Sequence, residues 1–173
     1  MLLKTIRLRD RTPVTLRLMR PDDAPLLLDM HNRLSDASIY FRYLRYRVPT
    51  LEQLAKLAQM TPDVGIGIVA SIETPAETII GHAYYVIEAD DRRSAEPAVL
   101  VEDRFQGRGL GRALLDILSQ AAWEQGIEVF NALVHPSNEQ LLGLVRRSGL
   151  PFQSKYAYGM REVQVQLDPA LRG

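Results

Sequence analysis

The sequence predicts an α+β fold with a mixed sheet, in a single domain that spans residues 1–173. Its periodic segments follow the order β-β, helices, β-β-β, α, β, α, β-β, which differs from the regular alternation of a doubly wound parallel sheet. A length of 173 residues is typical of one domain, and 46% hydrophobic with 24% charged residues is close to the globular average. The chain therefore has enough apolar residues for a core, and the disordered, coiled-coil and collagen-like classes are excluded.

The first part of the chain is predicted to form two strands and then three helices. Apolar and polar residues alternate over residues 6–9 and 14–19, which favours half-buried strands on either side of a turn. Acidic residues at the start of a helical pattern, and a threonine at a capping position, indicate the helices that follow. The expected helices cover residues 22–34, 35–46 and 51–60, and Thr50 caps the last of them.

The second part is predicted to form a three-stranded meander, then alternating helices and strands. The clearest helix ends at Gly126, a residue type that suits the position after a helix C-terminus. The run Ser137-Asn138-Glu139-Gln140 has the form of a capping box that opens another helix. The expected elements are strands at 64–73, 78–89 and 95–102, a helix at 109–125, a strand at 128–134, a helix ending at 147, and strands at 152–158 and 160–167.

The most informative segment is a glycine-rich turn at residues 106–112, with the sequence Gln-Gly-Arg-Gly-Leu-Gly-Arg. It lies between a predicted strand and the start of the clearest helix, so its backbone N–H groups and the helix dipole can bind a phosphate or pyrophosphate. Arg108 and Arg112 can add positive charge. A Walker loop needs Lys and Ser/Thr after the last glycine, and a dinucleotide fingerprint needs a βαβ unit, so neither nucleotide motif fits.

Residues 106–111 resemble the (Arg/Gln)-x-x-Gly-x-(Gly/Ala) pyrophosphate loop of the GNAT superfamily of N-acetyltransferases. Asn138 and the run Ser148-Gly149-Leu150 stand where that superfamily often has an Asn and a Gly-Phe pair. Residues 95–101 and 38–43 are similar to bacterial protein lysine acetyltransferases that act on acyl-CoA synthetases. The resemblance implies a GNAT-like, mostly antiparallel central sheet flanked by helices. It also implies acetyl-CoA as the acyl donor and an amine as the acceptor.

The resemblance also implies which residues hold the donor. Backbone groups of a splayed strand would bind the pantetheine arm, the glycine turn would bind the pyrophosphate, and an asparagine would lie near the arm. The cofactor-binding residues expected from this are Leu100, Val101, Gln106, Gly107, Arg108, Gly109, Leu110, Gly111, Arg112 and Asn138.

A carboxylate is expected to act as the general base, because a free lysine amine has a pKa of about 10.4 and must lose a proton. Glu96 is the first candidate, since it is a charged residue in an otherwise apolar strand and matches a family glutamate proposed for this role. Glu102 shares its strand parity and is the second candidate. Asp103 is expected to be a turn or capping residue.

The general acid is left open by the sequence. Many members of the superfamily carry a tyrosine in the helix that Asn138 starts, and here Val145 stands at that position. Tyr84, Tyr156, Tyr158 or water remain as alternatives. A CoA thiol has a pKa of about 8.5, so its thiolate can also leave unprotonated.

Other kinds of site are weakly supported. The three histidines lack metal-ligand spacing, so no metal site is expected. Residues 40–47 interleave aromatic and basic side chains, but a net charge of zero argues against nucleic-acid binding. These residues are interpreted either as an amphipathic helix or as a wall of the acceptor groove.

The expected setting is the cytoplasm. The chain has no cysteine, no apolar run long enough to span a bilayer and no signal-peptide pattern at its start. The expected partner is a protein lysine or a small-molecule amine, with a homodimer possible and neither nucleic acid nor membrane involved. A non-catalytic acyl-CoA sensor and a nucleotide-binding module are the rival interpretations.

Overall fold

The computed structural model describes residues 3–173, which form one eight-stranded sheet with helices packed on it. The strands are β1 (Leu3–Arg7), β2 (Pro13–Leu18), β3 (Gly65–Glu73), β4 (Glu77–Ile87), β5 (Ser94–Val101), β6 (Val129–Val134), β7 (Phe152–Ala157) and β8 (Met160–Gln166). Their order across the sheet is β1-β2-β3-β4-β5-β6-β8-β7. Every neighbouring pair is antiparallel except β5 and β6, so the predicted mixed, mostly antiparallel sheet is confirmed.

The helices also follow the predicted order. They are α1 (Ala24–Asn32), α2 (Asp36–Tyr43), α3 (Leu51–Ala58), α4 (Leu110–Glu124) and α5 (Glu139–Arg147). Thr50 caps α3 as predicted, since its side chain accepts a hydrogen bond from the Gln53 N–H at 3.2 Å. Within the described chain, no helix combines the length and apolar character that crossing a bilayer requires.

The core is divided between the two faces of the sheet. On one face the fully buried side chains of Leu110, Leu114 and Leu118 from α4 pack with residues such as Ile80 and Tyr85 of β4. The buried residues on the other face come from α1, α3 and the middle strands: Leu27, Met30, Leu54, Val69, Ile79 and Leu100. Burying a side chain of this size contributes about 1.5–3 kcal/mol. Helices α1 and α3 thereby pack on the middle strands of the sheet on the side opposite α4.

Two predicted helix boundaries are wrong. The helix expected over residues 35–46 ends at Tyr43, because Leu44 adopts a left-handed backbone with φ of 56°. Leu44 and Arg47 therefore do not share a helical face with Tyr43. The predicted capping box at Ser137 is also replaced, since the cap of α5 is Asn138, whose side-chain oxygen accepts from the Leu141 N–H at 3.2 Å.

Candidate functional site

The sheet opens between its two parallel strands. β5 and β6 pair only at Ser94 with Val129 and at Ala95 with Phe130, near the start of both strands. Beyond these pairs, no further ladder joins β5 to β6 in the described chain. The expected splay of β5 from its neighbour is therefore present, and we call this opening the split.

The hydrogen bonds of β5 to β4 decide which backbone groups face the split. The Glu88 N–H donates to the Ser94 carbonyl and the Glu102 N–H to the Ile80 carbonyl, both at 2.9 Å. Since backbone groups of an antiparallel strand alternate in direction, even-numbered residues of β5 bond β4. The odd-numbered residues Pro97, Val99 and Val101 then face the split, and Pro97 has no N–H to donate.

This register changes one of the predicted contacts. Val101 faces the split as expected, and its carbonyl accepts a hydrogen bond from Gln106 Nε2 at 3.0 Å. The Leu100 amide points to β4 instead, and its buried side chain packs with α1 and α3. Val99 takes the place that the sequence assigned to Leu100.

The glycine turn forms an open cradle at the end of the split. Gly107 and Gly109 have φ of 70° and 94°, and a Cβ on either residue would meet no atom within 4 Å. No acceptor within residues 3–173 bonds the backbone N–H groups of residues 107–112. The turn leads directly into the 15-residue helix α4, whose N-terminus carries a positive partial charge. The residues present therefore fit a pyrophosphate group.

Neighbouring segments hold this cradle in place. The turn between β1 and β2 lies beside it, and the Arg9 N–H donates to the Arg108 carbonyl at 3.1 Å. The Arg9 guanidinium donates to the Gly107 carbonyl at 3.3 Å. Gln106 Nε2 also donates to Ser38 Oγ at 3.2 Å, which ties the turn to α2.

The two arginines of the turn contact protein groups rather than the open cradle. Arg108 forms an ion pair with Asp10 of the β1–β2 turn. Arg112 Nε pairs with Asp116 Oδ2 at 2.8 Å, one helical turn away, and its guanidinium also donates to the Arg147 and Ser148 carbonyls. The positive charges of Arg108 and Arg112, which the sequence predicted would bind the ligand, are thus partly neutralised by nearby carboxylates.

The residues at the start and middle of α5 have structural contacts as well. Asn138 uses its side-chain oxygen to cap α5, so only its amide nitrogen is available to a ligand. Val145 is buried in a small cluster with Val134, Leu142 and Val163. It supplies no hydroxyl, so α5 carries no general acid at that position.

Glu96 lies where the split begins. Its backbone pairs with Val86 of β4, one residue beyond the last contact with β6, and its side chain is exposed. It borders a cavity of about 550 Å³ that extends over β6 and β8. Two further carboxylates, those of Glu88 and Glu162, line the same cavity. No cation within residues 3–173 forms an ion pair with Glu96.

Glu102 has a different environment. Its side chain is fully buried, Arg33 Nε lies 3.1 Å from one carboxylate oxygen, and Arg104 Nη2 lies 2.6 Å from the other. Arg33 also donates to the Ile79 carbonyl at 2.8 Å, so this pair joins the end of α1 to β4. With both oxygens occupied by guanidinium groups, Glu102 anchors the segment that enters the glycine turn and leaves Glu96 as the candidate base.

Helix α2 crosses the split. Its first turn is held by Asp103, which accepts hydrogen bonds from the Ser35 N–H at 3.0 Å and from the Ser35 and Ser38 hydroxyls at 2.6 and 3.2 Å. Burial opposes ionisation of Asp103, but these hydrogen bonds outweigh it and lower its pKa. At the other end, the rings of Tyr40 and Phe41 lie 5.7 Å from the ring of His135, which directly follows β6. Asp103 thus starts the short 3-10 turn Asp103–Phe105 and holds Ser35, the N-cap residue of α2, so it has the turn role that was one of its two expected roles.

A cluster of titratable side chains lies beneath α2. His82 of β4 is fully buried with neither ring nitrogen bonded, and burial lowers its pKa well below the ordinary value. Burial also lowers the pKa of His31, whose Nε2 lies 2.7 Å from the Tyr43 hydroxyl. Burial raises the pKa of Tyr43 to about 12. Arg42 donates to the Tyr84 hydroxyl and completes the cluster.

Sequence reasoning assigned no role to three residues that the structure brings to this region: Ser38, Arg42 and Val99. One sequence signal could have identified Val99. A proline inside a strand has no N–H to donate, so its backbone is unpaired toward one of the neighbouring strands. Pro97 therefore predicts which residues of β5 face the split. The contacts of α2 with β4 and the glycine turn join residues more than 40 positions apart, and no local pattern predicts them.

Comparisons with known proteins agree with this geometry. The family model described as acetyltransferase (GNAT) family matches residues 30–150. The chain is 30% identical over 135 residues to a protein named acetyltransferase Pat from Mycolicibacterium smegmatis, covering 78% of this chain and 40% of that protein. It is 37% identical over 76 residues to a mycothiol acetyltransferase from Propionibacterium freudenreichii, covering 43% of this chain and 24% of that protein. The chain thus spans less than half the length of these curated relatives.

Solved structures share the fold. The GNAT domain of S. lividans PAT superposes with a TM-score of 0.84 at 26% identity, covering 95% of this chain and 96% of that one. An acetyltransferase from Salmonella typhimurium, solved with its cofactor acetyl-CoA, has a TM-score of 0.72 at 21% identity and covers 90% of this chain and 94% of that one. The likeness to the Salmonella typhimurium structure shows the fold alone. Because the family model matches more than half of its residues, this chain belongs to the GNAT family of acetyltransferases, enzymes whose acyl donor is acetyl-CoA.

Proposed function

We propose that this protein transfers the acetyl group of acetyl-CoA to the side-chain amine of a protein lysine, with Glu96 as the general base. The observation that carries the proposal is the position of Glu96, an exposed carboxylate at the start of the split. The likeness to acetyltransferase Pat supports an acetyl transfer, and the resemblance of residues 95–101 to protein lysine acetyltransferases supports a lysine acceptor.

The binding of the donor would be shared between two backbone regions. The cradle of Gly107 and Gly109 would hold the pyrophosphate, and the free amides of Val99 and Val101 would hold the pantetheine arm and the thioester carbonyl. Bound acetyl-CoA supplies the acyl group as a thioester. Fixed N–H donors stabilise the negative charge that develops on a carbonyl oxygen during attack, and one such donor contributes about 3–4 kcal/mol in other acyl-transfer enzymes.

Glu96 would remove a proton from the acceptor. A lysine amine is almost entirely protonated at neutral pH, because its ordinary pKa is about 10.4. A carboxylate at the start of the split can take this proton directly or through one water molecule. The nitrogen lone pair is then free to attack the carbonyl carbon.

The surroundings of Glu96 favour a macromolecular acceptor. Glu88 and Glu96 line the cavity and form no ion pair within residues 3–173, whereas Glu162 is paired there with Lys155 at 2.8 Å. The net negative charge of the cavity therefore attracts a cationic lysine side chain. The cavity lies on an open part of the sheet, where Leu133 is 63% exposed. An open, acidic surface suits an extended protein segment better than an enclosed small molecule.

A non-catalytic acyl-CoA sensor is the second candidate, favoured by the absence of a hydroxyl at Val145. The two functions are separated by incubating the protein with radiolabelled acetyl-CoA and a cell lysate. Label in proteins, located on lysines by mass spectrometry, supports the proposal, and a purified acyl-CoA synthetase is the first acceptor to try. Label in small molecules alone would overturn the lysine acceptor, and binding without release of free CoA would favour the sensor.

Replacing Glu96 by Gln tests the base. Glu96→Gln should leave the affinity for acetyl-CoA unchanged and lower kcat at least tenfold, since general-base catalysis contributes about 10²–10⁴-fold. The deficit should shrink as the pH rises toward the amine pKa, because the acceptor then arrives already deprotonated. Steady-state rates across a pH series, together with calorimetric binding of acetyl-CoA, measure both effects.

Glu102→Gln is the matched control. It should lower the melting temperature, because it weakens the buried pairs with Arg33 and Arg104. A rate loss in this variant should not be rescued by high pH. If Glu102→Gln shows the pH-rescued deficit and Glu96→Gln does not, the assignment of the base is wrong.

A further inference from the structure

We propose that Tyr84 is the general acid of this enzyme and protonates the departing thiolate, the role left open by Val145. The inference rests on the acetyl transfer proposed above. It follows from the position of Tyr84 on the sheet, from the contact between its hydroxyl and Arg42, and from the environments of the other tyrosines.

Tyr84 lies on the same face of the sheet as Glu96 and close to it. In the register of β4 with β5, Tyr84 pairs with Ala98, and Glu96 pairs with Val86. Tyr84 and Glu96 are therefore diagonal neighbours, a relation in which Cα atoms lie about 7–8 Å apart and long side chains reach each other. Because α2 crosses the split above this face, Tyr84 lies beneath α2, one strand away from the split.

Arg42 fixes the hydroxyl of Tyr84. Its guanidinium donates a hydrogen bond to the Tyr84 oxygen and lies 5.3 Å from the centre of the Tyr84 ring. An accepting phenol keeps its own proton free to donate elsewhere. No carboxylate within residues 3–173 forms an ion pair with Arg42, so its charge remains available to stabilise the phenolate that proton donation leaves behind.

The groups around this contact add no competing charge. His82 lies with its ring parallel to that of Tyr84 at 5.9 Å, and His31 lies 5.5 Å from His82. Both histidines are neutral at pH 7, because burial lowers their pKa values. Arg42 is thus the cation in direct contact with the Tyr84 hydroxyl.

Three other tyrosines are placed differently. The side chains of Lys155 and Glu162 pair at 2.8 Å on the cavity side of the sheet, and Tyr156, the next residue of β7, points to the opposite face. Tyr158 is fully exposed in the turn after β7. The Tyr43 hydroxyl is bonded to His31 at 2.7 Å, and its pKa is raised to about 12. Of the three tyrosines that the sequence left as alternatives, Tyr84 remains, and water is the alternative that the Tyr84→Phe variant tests.

The proton balance of the reaction closes with these two groups. Glu96 first takes one proton from the lysine ammonium and releases it to solvent. The neutral amine then forms the C–N bond, and its nitrogen passes a second proton to Glu96. The C–S bond breaks, its electron pair goes to sulfur, and Tyr84 gives its hydroxyl proton to that sulfur. The Glu96 proton then returns to Tyr84 through water, so one proton has moved from the amine to the thiol.

Binding of the product thiol tests the proposal without turnover. Calorimetry at pH 8.5 compares CoA with desulfo-CoA, which lacks the sulfur. The wild type should bind CoA about tenfold more tightly, since a hydrogen bond to a charged acceptor is worth about that factor. In Tyr84→Phe the ratio of the affinity for CoA to the affinity for desulfo-CoA should fall to nearly one, with the affinity for desulfo-CoA unchanged. An equal preference in both proteins overturns the proposal.

Kinetics provide a second readout. Tyr84→Phe should lower kcat at least tenfold with KM for acetyl-CoA unchanged. Tyr156→Phe is the control and should behave as the wild type. A wild-type protein that acetylates no amine defeats the proposed function, whereas the binding comparison above tests Tyr84 in either case.

Discussion

His82 places an imidazole in the interior of the protein with neither ring nitrogen bonded by any group in residues 3–173. An unsatisfied buried polar group costs about 1–3 kcal/mol. Burial, together with the nearby His31 and Arg42, lowers the pKa of His82 well below 6.5. The folded protein therefore holds this ring neutral at a pH where the unfolded chain protonates it.

Stability should consequently fall in mild acid. The unfolded chain binds a proton at His82 below about pH 6.5 and the folded protein does not, so the free energy of unfolding is highest above that pH and decreases below it. At pH 5.5 the loss is about 1 kcal/mol for one such histidine. His82→Leu should remove this part of the loss, measured by thermal unfolding at pH 7.5 and 5.5. An unchanged loss in His82→Leu would show that other groups, such as His31, cause it.

At the scale of elements, α2 depends on contacts outside itself. A helix of two turns is marginal alone, and Asp103 supplies three hydrogen bonds to its first turn. Asp103→Ala should speed hydrogen exchange of the α2 amides roughly tenfold or more, since each lost bond costs about 0.5–1.5 kcal/mol. The exchange of α4 should stay unchanged. Mass-spectrometric hydrogen exchange measures both helices.

Asp36→Ala is the matched control for this prediction. Asp36 is an acidic residue within the first turn of α2 itself, whereas Asp103 lies outside the helix. Asp36 is exposed and makes no side-chain hydrogen bond within the described chain. Its effect should be limited to the helix dipole, about 0.3–1 kcal/mol. Equal exchange rates in the two variants would show that charge, and not the hydrogen bonds of Asp103, holds α2.

The elements were predictable from local patterns, whereas several site contacts were not. Hydrophobic periodicity and capping residues predicted the type and order of the strands and helices. A shift of one residue in strand register inverts which amides face the split, and periodicity alone could not separate Val99 from Leu100. The ion pair of Arg108 with Asp10 joins positions 98 residues apart, so the sequence offered no sign that this arginine was engaged.

The whole molecule should gain stability when CoA binds the cradle. At a concentration 100 times Kd, a ligand adds about 2.7 kcal/mol to the free energy of unfolding. For a domain of this size that corresponds to a rise in Tm of about 5–10 °C. Gly109→Glu should abolish the rise, because its side chain would put a carboxylate in the open cradle. Thermal melts with and without CoA measure the effect.

Gly126→Glu is the control at the other end of the same helix. Gly126 also has a positive φ, 84°, and open space where a Cβ would lie, so the substitution brings similar backbone strain and the same charge. It should lower Tm as Gly109→Glu does and keep the full rise with CoA. Loss of the rise in both variants would mean that strain, and not the cradle, controls binding.

Pro97 has a consequence for how quickly the donor can enter. It follows the two residue pairs that join β5 to β6, and as a proline it cannot extend that ladder. The gap between β5 and β6 therefore follows from the amino-acid sequence, and no strand has to separate from another before a ligand binds. Association should then proceed at the rate of simple encounter, at about 10⁵–10⁷ M⁻¹s⁻¹ or faster, with a single kinetic phase that rises linearly with donor concentration. The same proline leaves the open edge of β5 a poor template for annealing with a strand of another molecule.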